Sequence, residues 1–244
     1  MKTIILIPCR MASVRLPGKP MIKIHNIPMI QHVWQKAIDS DIGEVVVACA
    51  EKEIYDFITN LGGKAIITDP KLQSGTDRIH TAFMQIENNN NYDYIINLQG
   101  DMPLIRPDQI KKVLQPLENN YSIGTLATSL QSNEISNPNI TKVKVSWDKK
   151  NVGQAKDFFR LKHHTLKDVY HHVGIYSFTK KSLLNFVKLP RSKNEKLLNL
   201  EQYRAMDSGI SIGVIYDENI PISIDTKEDL ITAESIIREN YEKN

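Results

Sequence analysis

The chain has 244 residues, 41% hydrophobic and 24% charged, and its 31 basic residues against 28 acidic ones leave a formal net charge of +3. A chain this long buries roughly 70–75% of the surface its unfolded form exposes, so a full core forms without disulfide or metal staples. The charge balance is too weak to argue for nucleic acid as the main partner. The longest purely apolar run, Ile4 to Ile7, is too short to span a bilayer. Cys9 and Cys49 make neither a disulfide framework nor a metal-ligand spacing. The opening MKTIILIPCR lacks the long apolar region and small-residue cleavage site of a signal peptide. It reads as a first strand, and the chain is expected in the cytoplasm with no membrane partner.

Ile4–Ile7 and Glu44–Ala48 read as buried strands, because short apolar runs bounded by polar residues suit a sheet covered on both faces. Between them Ile30, Val33, Trp34, Ala37 and Ile38 recur at helical spacing, in a helix opened by Asn26 and Pro28. Ala65–Thr68 and Tyr94–Gln99 are further strands, and 52–61 and 76–87 are helices. Pro107 starts another helix, with Ile110, Val113, Leu114 and Leu117 in register. Strands alternating with helices mean βαβ units and a mostly parallel sheet. The pattern changes after about residue 121. Ser122–Thr128, Lys142–Trp147 and His172–Phe178 look like strands with fewer helices between them, so antiparallel additions are expected. The segments 88–91 and 132–139 read as surface loops. The fold expected is α/β and Rossmann-like, a single domain over 1–244 with an inserted subregion at about 122–210.

The connection after the first strand, CRMASVRLPGKP (9–20), carries Arg10, Arg15 and Lys19 within ten residues that contain no carboxylate. Open α/β sheets bind ligands at this edge, outside the carboxyl ends of the strands. Two cations ~7 Å apart repel by about 1 kcal/mol at an intermediate dielectric, and a polyanion reverses that sign. Gly18 lets backbone amides approach phosphate oxygens while the cations supply charge. We therefore read a phosphate site here in preference to a solvated basic loop. It is not the ATPase phosphate loop, since Gly18-Lys19 is followed by Pro20 and Ser13 stands where the first Gly belongs. No G-x-G-x-x-G follows any strand.

Asp101 sits just past the Tyr94–Leu98 strand beside Gly100, where a carboxylate can hold Mg²⁺ with water and phosphate oxygens. An ordinary Gly-Asp turn fits that residue equally well. Asp225 follows the apolar stretch Ile220–Ile224, and Thr226-Lys227-Glu228-Asp229 opens a helix as a capping box. It also fits a plain helix-start residue. Cations for phosphates beside acids for Mg²⁺ point together to nucleotidyl or phosphoryl transfer.

In this order the motifs resemble the CMP-KDO synthetase family, the 3-deoxy-manno-octulosonate (KDO) cytidylyltransferases. The resemblance covers essentially the whole chain. It rests on Ile7-Pro8-Cys9-Arg10 with Ser13-Val14-Arg15-Leu16-Pro17-Gly18-Lys19-Pro20, on Gln73-Ser74-Gly75-Thr76-Asp77-Arg78, and on Asn97–Pro103. It continues through His172-Val173-Gly174-Ile175-Tyr176, Leu200-Glu201-Gln202-Tyr203-Arg204 and Ile224-Asp225-Thr226. The RLPGKP loop is shared by several sugar nucleotidyltransferases; the later segments are more particular to the KDO enzymes.

The resemblance implies a Rossmann-like sheet with a smaller antiparallel part that takes part in homodimerisation. It implies CTP and KDO as partners and transfer of CMP from CTP to the anomeric hydroxyl of KDO. Arg10, Arg15 and Lys19 would hold the triphosphate, and Asp101 and Asp225 would bind Mg²⁺. Ser74, Arg78 and Gly100 would lie on the nucleotide side, with Ser74-x-x-Asp77 capping a helix whose amino terminus faces the ligand. Gln99 would sit close to the sugar, Arg160 is the candidate for its carboxylate, and His172, Tyr176 and Glu201 would line its pocket. Strand periodicity puts His172, Gly174, Tyr176 and Phe178 on one face. Glu201 shares a helical stripe with Leu197, Leu198 and Ala205, so it needs either an ion pair, with Arg204 or Arg160, or sugar hydroxyls.

The chain departs from the family pattern at several positions. Met102 replaces the usual Glu, Cys9 the usual Ala, Leu198 a frequent Glu and His171 an expected Arg. Phe159-Arg160-Leu161 is what remains of a Ser-Arg-Ala-x-Ile-Pro segment. The pairs His163-His164 and His171-His172 do not suggest zinc, because tandem residues in a strand point to opposite faces and Cys partners are missing. Cys9 has no paired His base and is not read as a nucleophile.

Overall fold

The computed structural model describes residues 1–13, 15–148, 151–161 and 165–242. Val14, His163 and His164 lie outside the described residues. The chain divides into two compact units, one made of Met1–Tyr92, Ile96–Ile110 and Pro221–Asn244, the other of Asp93–Ile95 and Lys111–Ile220. No helix among the described residues is long and apolar enough to cross a membrane.

The first unit opens with β1 (Thr3–Cys9), buried along its whole length. A small hairpin follows, β2 (Lys23–Ile24) and β3 (Ile27–Pro28), turned by His25 and Asn26 with φ of 49° and 67°. Asn26 therefore belongs to a two-residue hairpin turn. It does not cap the next helix, α1 (Met29–Asp39), which begins directly after Pro28. Next come β4 (Gly43–Cys49), α2 (Lys52–Asn60), β5 (Lys64–Ile67) and α3 (Gly75–Gln85). β4 runs parallel to both β1 and β5, and its register with β1 ends on the pair Cys9↔Cys49. The expected βαβ alternation is thus present. β6 (Tyr94–Asn97) leads on to Leu98, whose N–H donates to the Leu6 carbonyl at 3.1 Å. The helix expected from Pro107 through Leu117 is interrupted: α4 (Pro107–Lys112) stops, and α5 (Gln115–Glu118) restarts with Pro116 in its first turn. A proline ring tolerates a first turn but clashes with the preceding turn of a continuous helix.

In the second unit β7 (Ile123–Thr128) and β8 (Lys142–Trp147) lie where the sequence places strands. β9 (Val152–Phe159) was not anticipated, because Gly, Gln, Lys and Asp dilute its apolar pattern. β10 (Val169–Thr179) is longer than expected. It is followed by α6 (Lys180–Lys188), α7 (Lys193–Leu198), α8 (Gln202–Met206) and β11 (Ile212–Tyr216). The strand order within this unit is β10-β7-β11-β9-β8, with β8 also pairing β10. All these pairings are antiparallel except β7 with β11. The chain then returns to the first unit with α9 (Lys227–Glu242).

Candidate active site

The basic loop after β1 is tied down at several points. The Met11 N–H donates to Glu51 Oε2 at 2.9 Å, and the Gly18 N–H to the Met11 carbonyl at 3.1 Å. Gly18 has φ of 67°, a left-handed conformation that glycine adopts without a Cβ penalty. Leu16 is buried with Ile24, Met29, Ile224, Ala233 and Ile237, so the loop is anchored to the hairpin and to α9. Arg15 is exposed beside it, while the Lys19 side chain is only 13% exposed. Arg10 is exposed and has no hydrogen-bond or ion-pair partner among the described residues.

Lys19 Nζ lies 2.7 Å from Asp101 Oδ2 and 2.9 Å from Asp225 Oδ1, and Arg15 Nη2 lies 3.0 Å from the same Asp225 oxygen. Burial pushes the Lys19 pKa down, but the two carboxylates outweigh it and the net shift is upward. Two acids far apart in sequence therefore converge on one ammonium, but no strand forms over 220–225, so of the two only Asp101 lies just beyond a strand. Their backbones are joined as well, by the Ile224 N–H donating to the Asp101 carbonyl at 2.9 Å. The expected capping box is present: Asp229 Oδ2 accepts from the Thr226 N–H at 2.8 Å, and Thr226 Oγ1 accepts from the Asp229 N–H at 3.2 Å.

The neighbouring strand end is closely packed. A Cβ on Gly100 would sit 3.0 Å from the Pro8 carbonyl oxygen, and one on Gly75 would sit 3.2 Å from Gln99 Oε1. Glycine at both places lets β1, α3 and the residues after β6 approach one another. Gln99 Nε2 donates to Asn97 Oδ1 at 2.9 Å, and Asn97 Nδ2 to Thr76 Oγ1 at 3.1 Å. Ser74 caps α3, accepting from the Asp77 N–H at 3.1 Å. Arg78 is only 2% exposed; its Nη1 donates to Thr68 Oγ1 at 2.6 Å and to the Asp69 carbonyl at 3.2 Å. Its Nη2 is buried without a hydrogen-bond partner among the described residues. Burial and the nearby Arg10 both lower the Arg78 pKa. A buried, unsatisfied guanidinium N–H beside a basic loop suits a ligand acceptor.

The second unit holds the remaining candidates. His172 and Tyr176 share a face of β10 as expected, with ring centroids 5.5 Å apart, although the register against β7 shifts between Val173 and Tyr176. Thr125 Oγ1 spans that irregularity: it donates to the Ile175 carbonyl at 2.8 Å and lies 2.9 Å from His172 Nε2. The Val173 carbonyl lies 3.2 Å from the same hydroxyl, so Thr125 ties the ring and both carbonyls of the irregularity together. Desolvation pushes the His172 pKa down to about 3, with His171 adding in the same direction. The Tyr176 hydroxyl accepts from Gln202 Nε2, and burial raises its pKa well above the usual range.

Glu201 is not part of a buried helical stripe. Asn199, in the left-handed conformation at φ 51°, ends α7, and Leu197 and Leu198 are 74% and 41% exposed. The Glu201 carboxylate lies 4.0 Å from Arg204, whose guanidinium is instead committed to Glu195 at 2.7 Å. Glu195 is the buried acid of this region, recognisable in sequence only as the third residue of the Ser192 capping box. Arg160 follows β9, half-buried, and its guanidinium has no hydrogen-bond or ion-pair partner among the described residues. Among the departures, Met102 and Cys9 are buried, and His171 Nδ1 lies 2.9 Å from Glu134 Oε1. Burial drives the Cys9 thiol pKa well up, the opposite of an activated nucleophile.

A family model described as cytidylyltransferase matches residues 4–212, and it defines the class of protein to which this fold and loop belong: a nucleotidyltransferase. A 3-deoxy-manno-octulosonate cytidylyltransferase from Paramagnetospirillum magneticum is 38% identical over 239 residues, 96% of this chain and 97% of that protein. One from Rhodopseudomonas palustris strain BisB5 is 41% identical over 234 residues, 95% and 96% of the two chains. A solved CMP:2-keto-3-deoxy-manno-octonic acid synthetase in complex with CTP superposes with a TM-score of 0.87 at 32% identity, covering 98% of this chain and all of that one. The chain belongs to the 3-deoxy-manno-octulosonate cytidylyltransferase family. A UDP-glucose pyrophosphorylase at 14% identity and a TM-score of 0.69 shares the fold.

Proposed function

We propose that the protein transfers CMP from CTP to the anomeric 2-hydroxyl of KDO, releasing pyrophosphate and giving CMP-KDO for lipopolysaccharide biosynthesis. The observation that carries this reading is the convergence of Asp101 and Asp225 on Lys19 beside Arg15. Oxygen atoms of two carboxylates meeting at one small cation are a donor set of the hard kind that suits Mg²⁺. Among the described residues no group of three or more His, Cys, Asp and Glu is placed to hold a metal, so phosphate oxygens and water would complete the shell. Asp101 and Asp225 would hold a Mg²⁺, which when bound would supply positive charge to lower the hydroxyl pKa and offset phosphate charge.

The protein groups do the rest. Lys19, Arg10 and Arg15 neutralise the triphosphate and the departing pyrophosphate, Lys19 and Arg15 exchanging their carboxylates for phosphate oxygens. The sugar hydroxyl gives up its proton to solvent as its oxygen attacks the α-phosphorus, a new P–O bond forms, and the bond to the bridging oxygen of pyrophosphate breaks. Ser74, Arg78 and Gly100 serve the nucleotide, with the unsatisfied Arg78 Nη2 as a donor toward it. Gln99, Arg160, His172, Tyr176 and Glu201 serve the sugar, Arg160 gripping its carboxylate. We place the enzyme in the cytoplasm as a homodimer, which sedimentation analysis tests directly.

The deciding experiment is pyrophosphate release with CTP and Mg²⁺, with and without KDO, beside other nucleotides and acid sugars. Release requiring both CTP and KDO supports the proposal. Release only with an amino-KDO or a nonulosonate replaces the sugar and keeps the chemistry. Binding of CTP with no release across the panel leaves a nucleotide-binding protein.

A further inference from the structure

Lys142 is among the largest fully buried side chains, at 1% exposure, and nothing in the proposed chemistry uses it. A lysine amine leaves water only where its donors are met. Here Nζ lies 2.6 Å from the Asn137 carbonyl and 2.6 Å from the Arg160 carbonyl. The second contact is the informative one. β9 ends at Phe159, the register partner of Lys142, so the Arg160 carbonyl lies beyond the ladder and the ammonium supplies the donor that a strand partner would have given. On its other side Lys142 is the β10 partner of His171, which is bound to Glu134. Burial, with the charge of Arg160, lowers the Lys142 pKa, and Glu134 offsets part of that shift. The ammonium therefore lies within electrostatic range of both Glu134 and Arg160.

We infer that Lys142 is a positioning residue for Arg160, fixing the backbone from which the guanidinium reaches the acid-sugar carboxylate. This rests on the reading of Arg160 as the carboxylate grip. A planar guanidinium fork recognises a carboxylate only in a narrow range of orientations, and an error near 1 Å at its base is costly. The buried charge also raises the positive potential where that anion binds. Lys142 therefore acts on sugar binding and leaves nucleotide binding alone.

The test is steady-state kinetics of Lys142→Met, Arg160→Ala and the double variant, each confirmed as folded by thermal melting. Lys142→Met should raise KM for KDO about tenfold and leave KM for CTP within about twofold. In the Arg160→Ala background the same change should add nothing further. A normal KM for KDO in Lys142→Met, an equal rise in both KM values, or a full additional factor on top of Arg160→Ala overturns the inference while Arg160 stands. An unchanged KM for KDO in Arg160→Ala overturns the Arg160 reading, and this inference with it. If Lys142→Met does not fold, Lys142→Gln, which retains an amide donor, is read by the same criteria.

Discussion

Lys19 reaches Asp101 at 2.7 Å across 82 positions of sequence, and the ammonium is mostly buried by the contact. A cation held this way lets two acids stand side by side before any ligand arrives. Like charges at such range would otherwise oppose one another by several kcal/mol, on the order expected in a partly buried site.

Removing the acids separates chemistry from binding. Asp101→Asn and Asp225→Asn should each lower kcat by about 100-fold or more, while CTP affinity falls less than about tenfold. Pyrophosphate release and calorimetric titration of CTP give the two numbers. Near-normal turnover in both variants would sink the assignment of these residues.

Removing the cation has the opposite effect on metal. In Lys19→Met the carboxylates lose their counter-charge, so Mn²⁺ or Mg²⁺ without nucleotide should bind at least about fivefold tighter, while turnover collapses. Calorimetry with the metal salt alone checks it; unchanged affinity shows that the ammonium does not compete with a cation.

His172 makes stability depend on pH in a defined direction. Its folded pKa, pushed down to about 3, lies below the unfolded value, so the unfolded chain takes up a proton first as pH falls. The contribution is complete above about pH 6.5 and drains away toward pH 3, at about 1.4 kcal/mol per pH unit. Between pH 7 and pH 5 this one group should remove about 2 kcal/mol of unfolding free energy. In His172→Gln, which keeps a donor for Thr125, that part of the slope should vanish. Urea denaturation at the two pH values measures it, and an identical slope in the variant refutes the claim.

The Glu195–Arg204 pair gives a stability test in the second unit. Both side chains are at most 3% exposed and are joined at 2.7 and 3.0 Å. Arg204→Met alone leaves a buried carboxylate with the partly exposed Arg191 and the Ser192 N–H, and should cost about 3 kcal/mol. Glu195→Leu together with Arg204→Met should recover much of that loss, because two apolar side chains need no counter-charge. Denaturant midpoints for the three variants decide it. A double variant no better than Arg204→Met would show that the pair's worth lies outside its charge.

Much of the first unit was legible because its signals are local. The strand-loop order Ile4 to Lys19 and the capping box at Thr226 each sit within a short window, and the structure reproduces both. The meeting of Asp101 with Asp225 was visible only as two acids that each follow an apolar run, read as two strand ends although no strand precedes Asp225. Their contact depends on packing that no window contains. The second unit was less readable. β9 is diluted by polar residues, and the helix over Leu197 to Ala205 is cut by Asn199, whose left-handed backbone periodicity alone does not reveal. Lys142 and Glu195 carry no local sign of burial either: Lys142 falls on the same alternation as Lys144 in β8, and Glu195 sits among Lys193, Asn194 and Lys196.

The backbone bond from Ile224 to Asp101 has a consequence for how the protein is made. The first unit is built from segments on either side of the second unit, so it cannot be finished when its first strands emerge. At about 5–20 residues per second, the ribosome needs on the order of ten seconds to travel from Ile110 to Asp225. Throughout that interval the nascent chain displays Arg10, Arg15 and Lys19 but lacks one of its two acids. The site proposed for the nucleotide is therefore completed late, when the segment around Asp225 clears the exit tunnel and docks.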